Sequence, residues 1–438
     1  MVRKFKVHFF LIKLFLTYFW EGVAFASVSR ICNVKDLKKF IHFVVGLYTD
    51  ERGDEKQREV CATIVLEMNK LGTSEIRHFH KELIPLICLG RNDPLTEVST
   101  IFQEAWNELG VPSAYRLYTD EILSSVNKNL GSSSRTLKKQ AALTLRDLCE
   151  SIGKHIEPHV DQELILLAES LRGKTWEGKE AILMALVSLC KASPKEVSNP
   201  SKMTVKRPTA KDLVVTVCRL STTSDNGWNR HALNAIAEML QLFEVDVFEQ
   251  ISEGVVKTLE KEKQTPHKDE SQQDVQKESA KHFLVKAAAW KVLAAAWPKQ
   301  LEEQKRHLKE MLELISKHSR SVWNVKLEVF GCLKKVLQSC MSHPLEQSRS
   351  LWSESEVEGV MELVLDASED KFAVVRQVAL EALLELMNGL SDSGMLQKHS
   401  QAIEEKLKKL EQDPELVNII SSLKNLHKSE PPNKKSKN

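Results

Sequence analysis

The chain has 438 residues, of which 42% are hydrophobic and 28% charged, with 62 lysines and arginines against 60 aspartates and glutamates. So even a balance excludes the cationic surface that draws nucleic acid or an anionic membrane, and the composition excludes a disordered or membrane-embedded protein. Glycine (16) and proline (13) are scarce and period-two alternation is rare, which predicts helices. The length exceeds one compact core and implies two or three domains or an elongated array.

Residues 1–29 stand apart. Arg3, Lys4 and Lys6 precede an apolar run from Phe9 to Trp20, broken only by Lys13 and Thr17, and Ala24-Phe25-Ala26 follows. That pattern reads as a signal-like segment or as an apolar helix of a preceding repeat, or of an alternative start. It is short and interrupted for a membrane span, which leaves a signal or an anchor open here, and beyond this segment no stable membrane insertion is expected.

From residue 30 to 192 a repeat becomes visible. A charged residue followed by a small-apolar run recurs at Arg58, Glu97, Lys139 and Lys179, and continues at His231, Lys286, Lys326 and Arg376. The successive spacings are 39, 42, 40, 52, 55, 40 and 50. Four lie near 40, the period of paired-helix HEAT or armadillo repeats. The apolar stripes agree: Leu137, Ala141, Leu145 and Leu148 share a helix face, as do Val325, Val329, Leu333 and Val336. The expectation is an all-α protein, an α-solenoid of stacked HEAT/armadillo-like helical pairs.

The three long spacings hold insertions, which solenoids accept at turns. Residues 193–208 carry three prolines and read as a loop. Residues 209–261 form a further repeat, and residues 262–280 are polar throughout and read as a disordered loop. Residues 281–426 contain the remaining repeats, an insertion at Cys340–Ser350, and a charged terminal cap, I-E-E-K-L-K-K-L-E-Q. Residues 427–438 form a polar, basic tail.

Candidate chemistry is sparse. Gly173-Lys174-Thr175 resembles the end of a phosphate-binding loop, but Ala168 stands where the first glycine is required, and no strand precedes it. His78 and His80 lack a third ligand, and Pro158 separates His155 from His159. No cofactor, metal or catalytic group is expected. The eight cysteines form no C-x-x-C and sit among aliphatic residues, so they read as buried thiols of a cytosolic protein.

What recurs instead is an aromatic residue three positions before a basic one: Trp176 and Lys179, Trp228 and His231, Phe283 and Lys286, Trp323 and Lys326. Residues three apart share a helix face. In one reading the aromatic wedges between repeats while the basic residue pairs with an acid on the next repeat. In the other, Trp176, Lys179, Trp228, Trp323, Lys326 and Arg376 form a ridge that docks a partner. In Leu171–Leu183, Gly173 ends one helix, Thr175 is placed as the N-cap of the next, and Trp176 and Lys179 open it.

Four stretches carry a family likeness. G-K-T-W-E-G-K-E-A (Gly173–Ala181), F-Q-E-A-W (Phe102–Trp106), A-A-W-P-K (Ala295–Lys299) and S-V-W-N-V-K-L-E-V (Ser321–Val329) resemble the C-terminal portion of the large HEAT-repeat proteasome adaptor and scaffold family. The similarity runs from about Lys35 to about Leu426. The resemblance implies a non-enzymatic, cytoplasmic adaptor, with nuclear or endomembrane association, that binds the 26S proteasome through its core and regulatory particles. It implies that such an adaptor stabilises or remodels their association and links proteasomes to membranes or motors. HEAT scaffolds for tubulin or transport cargo are the competing expectations.

Overall fold

The computed structural model describes residues 34–51, 53–71, 74–111, 113–199, 207–222, 226–261, 272–390, 399–410 and 412–429. The signal-like segment, residues 262–271 and the end of the basic tail lie outside the described residues. Among the described residues all regular structure is helical, and the chain divides into two units, Met1–Thr209 and Ala210–Asn438.

The first unit contains four helical pairs: α1 (Val34–Tyr48) with α2 (Glu55–Leu71), α3 (His80–Gly90) with α4 (Thr96–Glu108), α5 (Thr119–Leu130) with α6 (Arg135–Ile152), and α7 (Val160–Ser170) with α8 (Glu180–Ala192). First helices stack in order, α1 on α3, α3 on α5 and α5 on α7; among the second helices, α2 packs on α4 and α6 on α8. The stack is tight enough in places to require glycine. A Cβ on Gly90 at the end of α3 would lie 2.2 Å from the Phe102 ring of α4.

The second unit contains five pairs: α9 (Ala210–Thr222) with α10 (Asn226–Leu242), α11 (Phe248–Glu260) with α12 (Gln272–Ala296), α13 (Leu301–His318) with α14 (Trp323–Met341), α15 (Glu354–Ala367) with α16 (Ala373–Leu390), and α17 (Ser400–Leu410) with α18 (Val417–Ser429). The second helices α10, α12, α14, α16 and α18 pack on one another in unbroken sequence. Each unit is thus a helical-repeat solenoid in which a pair touches mainly its neighbours.

The repeat register read from the sequence falls on these second helices. Arg58, Glu97, Lys139, His231, Lys286, Lys326 and Arg376 lie within α2, α4, α6, α10, α12, α14 and α16, and Lys179 immediately precedes α8. The stripes Leu137–Leu148 and Val325–Val336 are buried, as are Ile182, Leu183, Leu186, Val187, Leu189 and Cys190. Burying a side chain of this size stabilises by about 1.5–3 kcal/mol, so the stripes set the stacking face.

Local details depart from expectation. The helix expected to open at Trp176 starts at Glu180, and Thr175 does not cap it. Gly173 (φ 80°) and Gly178 (φ 99°) are left-handed, a conformation an α-helix cannot contain, so the helix forms only after Gly178. Residues 272–279, expected in a disordered loop, begin α12, because Q-Q-D-V-Q-K-E-S contains no breaker. The proline-rich stretch contains a short helix, Pro194–Ser198, with Pro194 in the first turn where its missing N–H costs nothing. The charged segment read as a cap is α17, and α18 follows it and packs on α16.

Candidate functional site: the edge where the second helices begin

The basic residues of the repeat meet acids that the sequence reading had not singled out. Arg58, Lys326 and Arg376 each occupy the fourth position of a second helix. Each reaches the loop that precedes the next second helix. Arg58 Nε lies 2.9 Å from Asp93 Oδ2, Lys326 Nζ 2.7 Å from Asp370 Oδ2, and an Arg376 guanidinium nitrogen 2.5 Å from Asp413 Oδ2.

The other oxygen of each acid has a separate task. Asp93 Oδ1 accepts from the Leu95 N–H (3.0 Å), Asp370 Oδ1 from the Phe372 N–H (2.9 Å) and Asp413 Oδ1 from the Glu415 N–H (3.1 Å). One carboxylate therefore shapes its own turn and binds the preceding pair. At Asp370 desolvation opposes ionisation, but the hydrogen bonds and charge of Lys326, the Phe372 N–H and Lys371 together hold the carboxyl below its usual range. Asp93 is the most enclosed of the three and also accepts from Tyr48 (2.7 Å) and Gln140 (3.0 Å), joining three successive pairs.

Lys179 behaves differently. It is fully buried and its Nζ donates to the carbonyls of Arg172, Gly173 and Lys174 at 3.1, 3.2 and 3.3 Å. Burial, reinforced by Lys138, holds its ammonium below the ordinary lysine range. The Gly-Lys-Thr stretch is thus a carbonyl cradle for a lysine of the same chain, the opposite polarity from an anion-binding loop of backbone N–H groups.

The tryptophans do not share one role. Trp228 is buried and Trp176 is half-buried over Gly178. Trp323 is 46% exposed, with its ring 5.4 Å from that of Phe372 in the next pair. Lys371 Nζ lies 5.0 Å from the centre of the Phe372 ring. Trp290, against His318, Trp297, against Phe248, and Trp352 are buried in the core as Trp228 is.

Around Trp323 the edge is apolar and open. Val322 immediately precedes α14 and Trp323 begins it, Val374 is the second residue of α16, and Val417 is the first residue of α18; all four are exposed. They account for half of the large apolar side chains exposed among the described residues, so this edge of the second unit is unlike the rest of the surface. Phe372, Val374 and Val417 were missed in the sequence because they carry no aromatic-x-x-basic offset; their signal is the position just after a turn-forming aspartate.

Elsewhere, His80 packs on Tyr118, and burial together with Arg77 holds it below the usual histidine range. His159 pairs with Asp120 at 3.3 Å. Among the described residues no group of three or more His, Cys, Asp or Glu side chains could hold a metal ion, and no helix is long and apolar enough to cross a membrane.

Residues 224–420 match the family model of the ECM29 C-terminal ARM-like repeats. The chain is 24% identical over 398 residues to the human proteasome adapter and scaffold protein ECM29, covering 85% of this chain and 21% of that protein. It is 29% identical over 191 residues to the proteasome component ECM29 of Saccharomyces cerevisiae, covering 41% of this chain and 10% of that one. The resemblance read from the four short stretches therefore stands, and the chain spans about a fifth of the human relative. The structure of yeast importin-beta (Kap95p) superposes with a TM-score of 0.56 at 15% identity, over 98% of this chain and 48% of that chain; this shows the fold alone.

Proposed function

We propose that this chain, similar over most of its length to ECM29 proteins, is a non-enzymatic scaffold segment that binds the 26S proteasome. The observation that carries the reading is the similarity over 85% of the chain to a human protein named a proteasome adapter and scaffold. The stacked pairs and the open edge at Trp323 are consistent with it, since a solenoid presents long surfaces for other proteins. A finer reading, that the segment stabilises or remodels the association of core and regulatory particles in the cytoplasm, rests on the same similarity.

Sedimentation of the purified chain with purified 26S proteasomes tests the reading. Co-migration is expected, weakened by salt if charged side chains take part. Proteasomes that sediment without the chain, while circular dichroism shows the chain helical, would refute it. Repeating the binding with isolated core and regulatory particles tests the finer statement.

A further inference from the structure

The edge at Trp323 has a charge pattern as well as an apolar one. Of the acids in the two loops that carry Trp323 and Phe372, Asp370 is held by Lys326, and Glu369 by Lys406 (2.6 Å) and Lys409 (3.6 Å). Arg320 and Lys371, in the same two loops, are exposed, and neither lies within ion-pair distance of a described carboxylate. The acids of these two loops are neutralised within the chain while Lys371 remains beside the open aromatic pair; Arg320 lines a groove shared with Glu313, Glu356, Glu362 and Asp366. Such a surface favours an apolar partner carrying negative charge.

Spacing narrows the shape of that partner. Val322 and Trp323, Phe372 and Val374, and Val417 belong to three successive pairs whose second helices pack side by side. Packed helices lie roughly 8–10 Å apart, and an extended segment in the polyproline II conformation advances about 3.1 Å per residue with three residues per turn, so every third side chain stays on one face and meets the next pair. We infer that this edge binds an extended acidic segment of a partner protein, with apolar side chains at every third position and carboxylates between them. Its central apolar side chain sits against Trp323 and Phe372, and a flanking carboxylate faces Lys371. This holds whichever protein supplies the segment, and so stands apart from proteasome binding.

Fluorescence anisotropy with the full chain and labelled synthetic peptides tests the inference. The probe is a peptide of about nine residues, with leucine, phenylalanine and leucine at every third position and aspartate and glutamate between them, long enough for three pairs. Two controls keep its length, one with lysine replacing each acid and one with the three apolar residues made contiguous. The acidic, evenly spaced peptide should bind more tightly than either control. Trp323→Ala should weaken it by about tenfold, as a central aromatic anchor does, and Lys371→Glu should weaken it as well.

Trp323 is exposed enough that its removal leaves the Lys326–Asp370 pair in place; should that variant unfold, Val374→Glu, at a side chain 46% exposed, takes its place. The inference is overturned if the acidic peptide does not bind, if either control binds equally well, or if the edge variants bind like the parent chain. Sedimentation showing a dimer that Trp323→Ala abolishes would overturn it in favour of a second copy of this chain as occupant.

Discussion

Arg58 and Asp93 meet at 2.9 Å across the boundary between the first two helical pairs, with Arg58 16% exposed and Asp93 fully enclosed. The same contact recurs at Lys326–Asp370, where the exposures are 25% and 8%. Asp93→Ala strands a largely buried guanidinium and the Tyr48 hydroxyl, and should cost about 3 kcal/mol. Asp370→Ala, in a more solvated setting, should cost about 1 kcal/mol. Urea unfolding followed by circular dichroism measures both, and equal losses would show that burial does not govern these contacts.

Glu163 on α7 is buried with one carboxylate oxygen bonded to Asn127 at 3.0 Å and the other without a partner, and burial pushes it up to about 7. Its ordinary value is 4.5, so the folded chain binds this proton more tightly than the unfolded one between those limits. The contribution is therefore complete below about pH 4.5 and is lost as pH rises to about 7, a change of about 3 kcal/mol. Glu163→Gln should flatten the stability of the first unit across that window; thermal melts at several pH values test this, and an unchanged slope would exclude Glu163 as its source.

Gly173 and Gly178 are both left-handed, but only Gly178 is crowded. A Cβ there would lie 2.8 Å from Lys139 Cδ and 3.2 Å from the Trp176 ring, whereas nothing stands within 4 Å at Gly173. Gly173→Ala should cost only the left-handed backbone, about 1–2 kcal/mol. Gly178→Ala should cost more, because the Lys139 side chain or the Trp176 ring must also shift. The difference between the two melting temperatures is the measurement, and Gly173→Ala proving the worse would contradict this account of the loop.

Seven cysteines are described and all are buried; Cys61, Cys88, Cys190 and Cys340 are pushed up to about 12, chiefly by burial. A thiol needs its thiolate and access to react. In native buffer a thiol reagent should therefore label Cys32 at most, and urea should release the rest in step with loss of helix. Rapid labelling of several thiols before unfolding would show that the pairs open locally.

Periodicity made the architecture legible: scarce glycine, stripes at 3.6 spacing and a recurring charged residue place the second helices correctly from Arg58 to Arg376. The series of ion pairs between successive helical pairs was half legible. The cations stood out, but Asp93, Asp370 and Asp413 lie in loops at unequal separations, 35, 44 and 37 residues beyond their partners, and no local pattern links them. Trp176 and Trp323 look alike in sequence yet differ in space, because Gly178 keeps one in a loop while the other opens a helix. Exposure at Val374 and Val417 depends on which neighbour covers a helix start, a tertiary fact that single residues do not encode.

The ion pairs from Lys326 to Asp370 and from Arg376 to Asp413 fasten successive pairs where the second helices begin, and Lys334–Glu381 and Gln338–Glu385 fasten α14 to α16 farther along. Second helices clipped at several points along their length cannot slide past one another without breaking these contacts together. Trp323 therefore keeps its place beside Phe372 for as long as α14 and α16 stay clipped, and the open edge is a surface of fixed spacing.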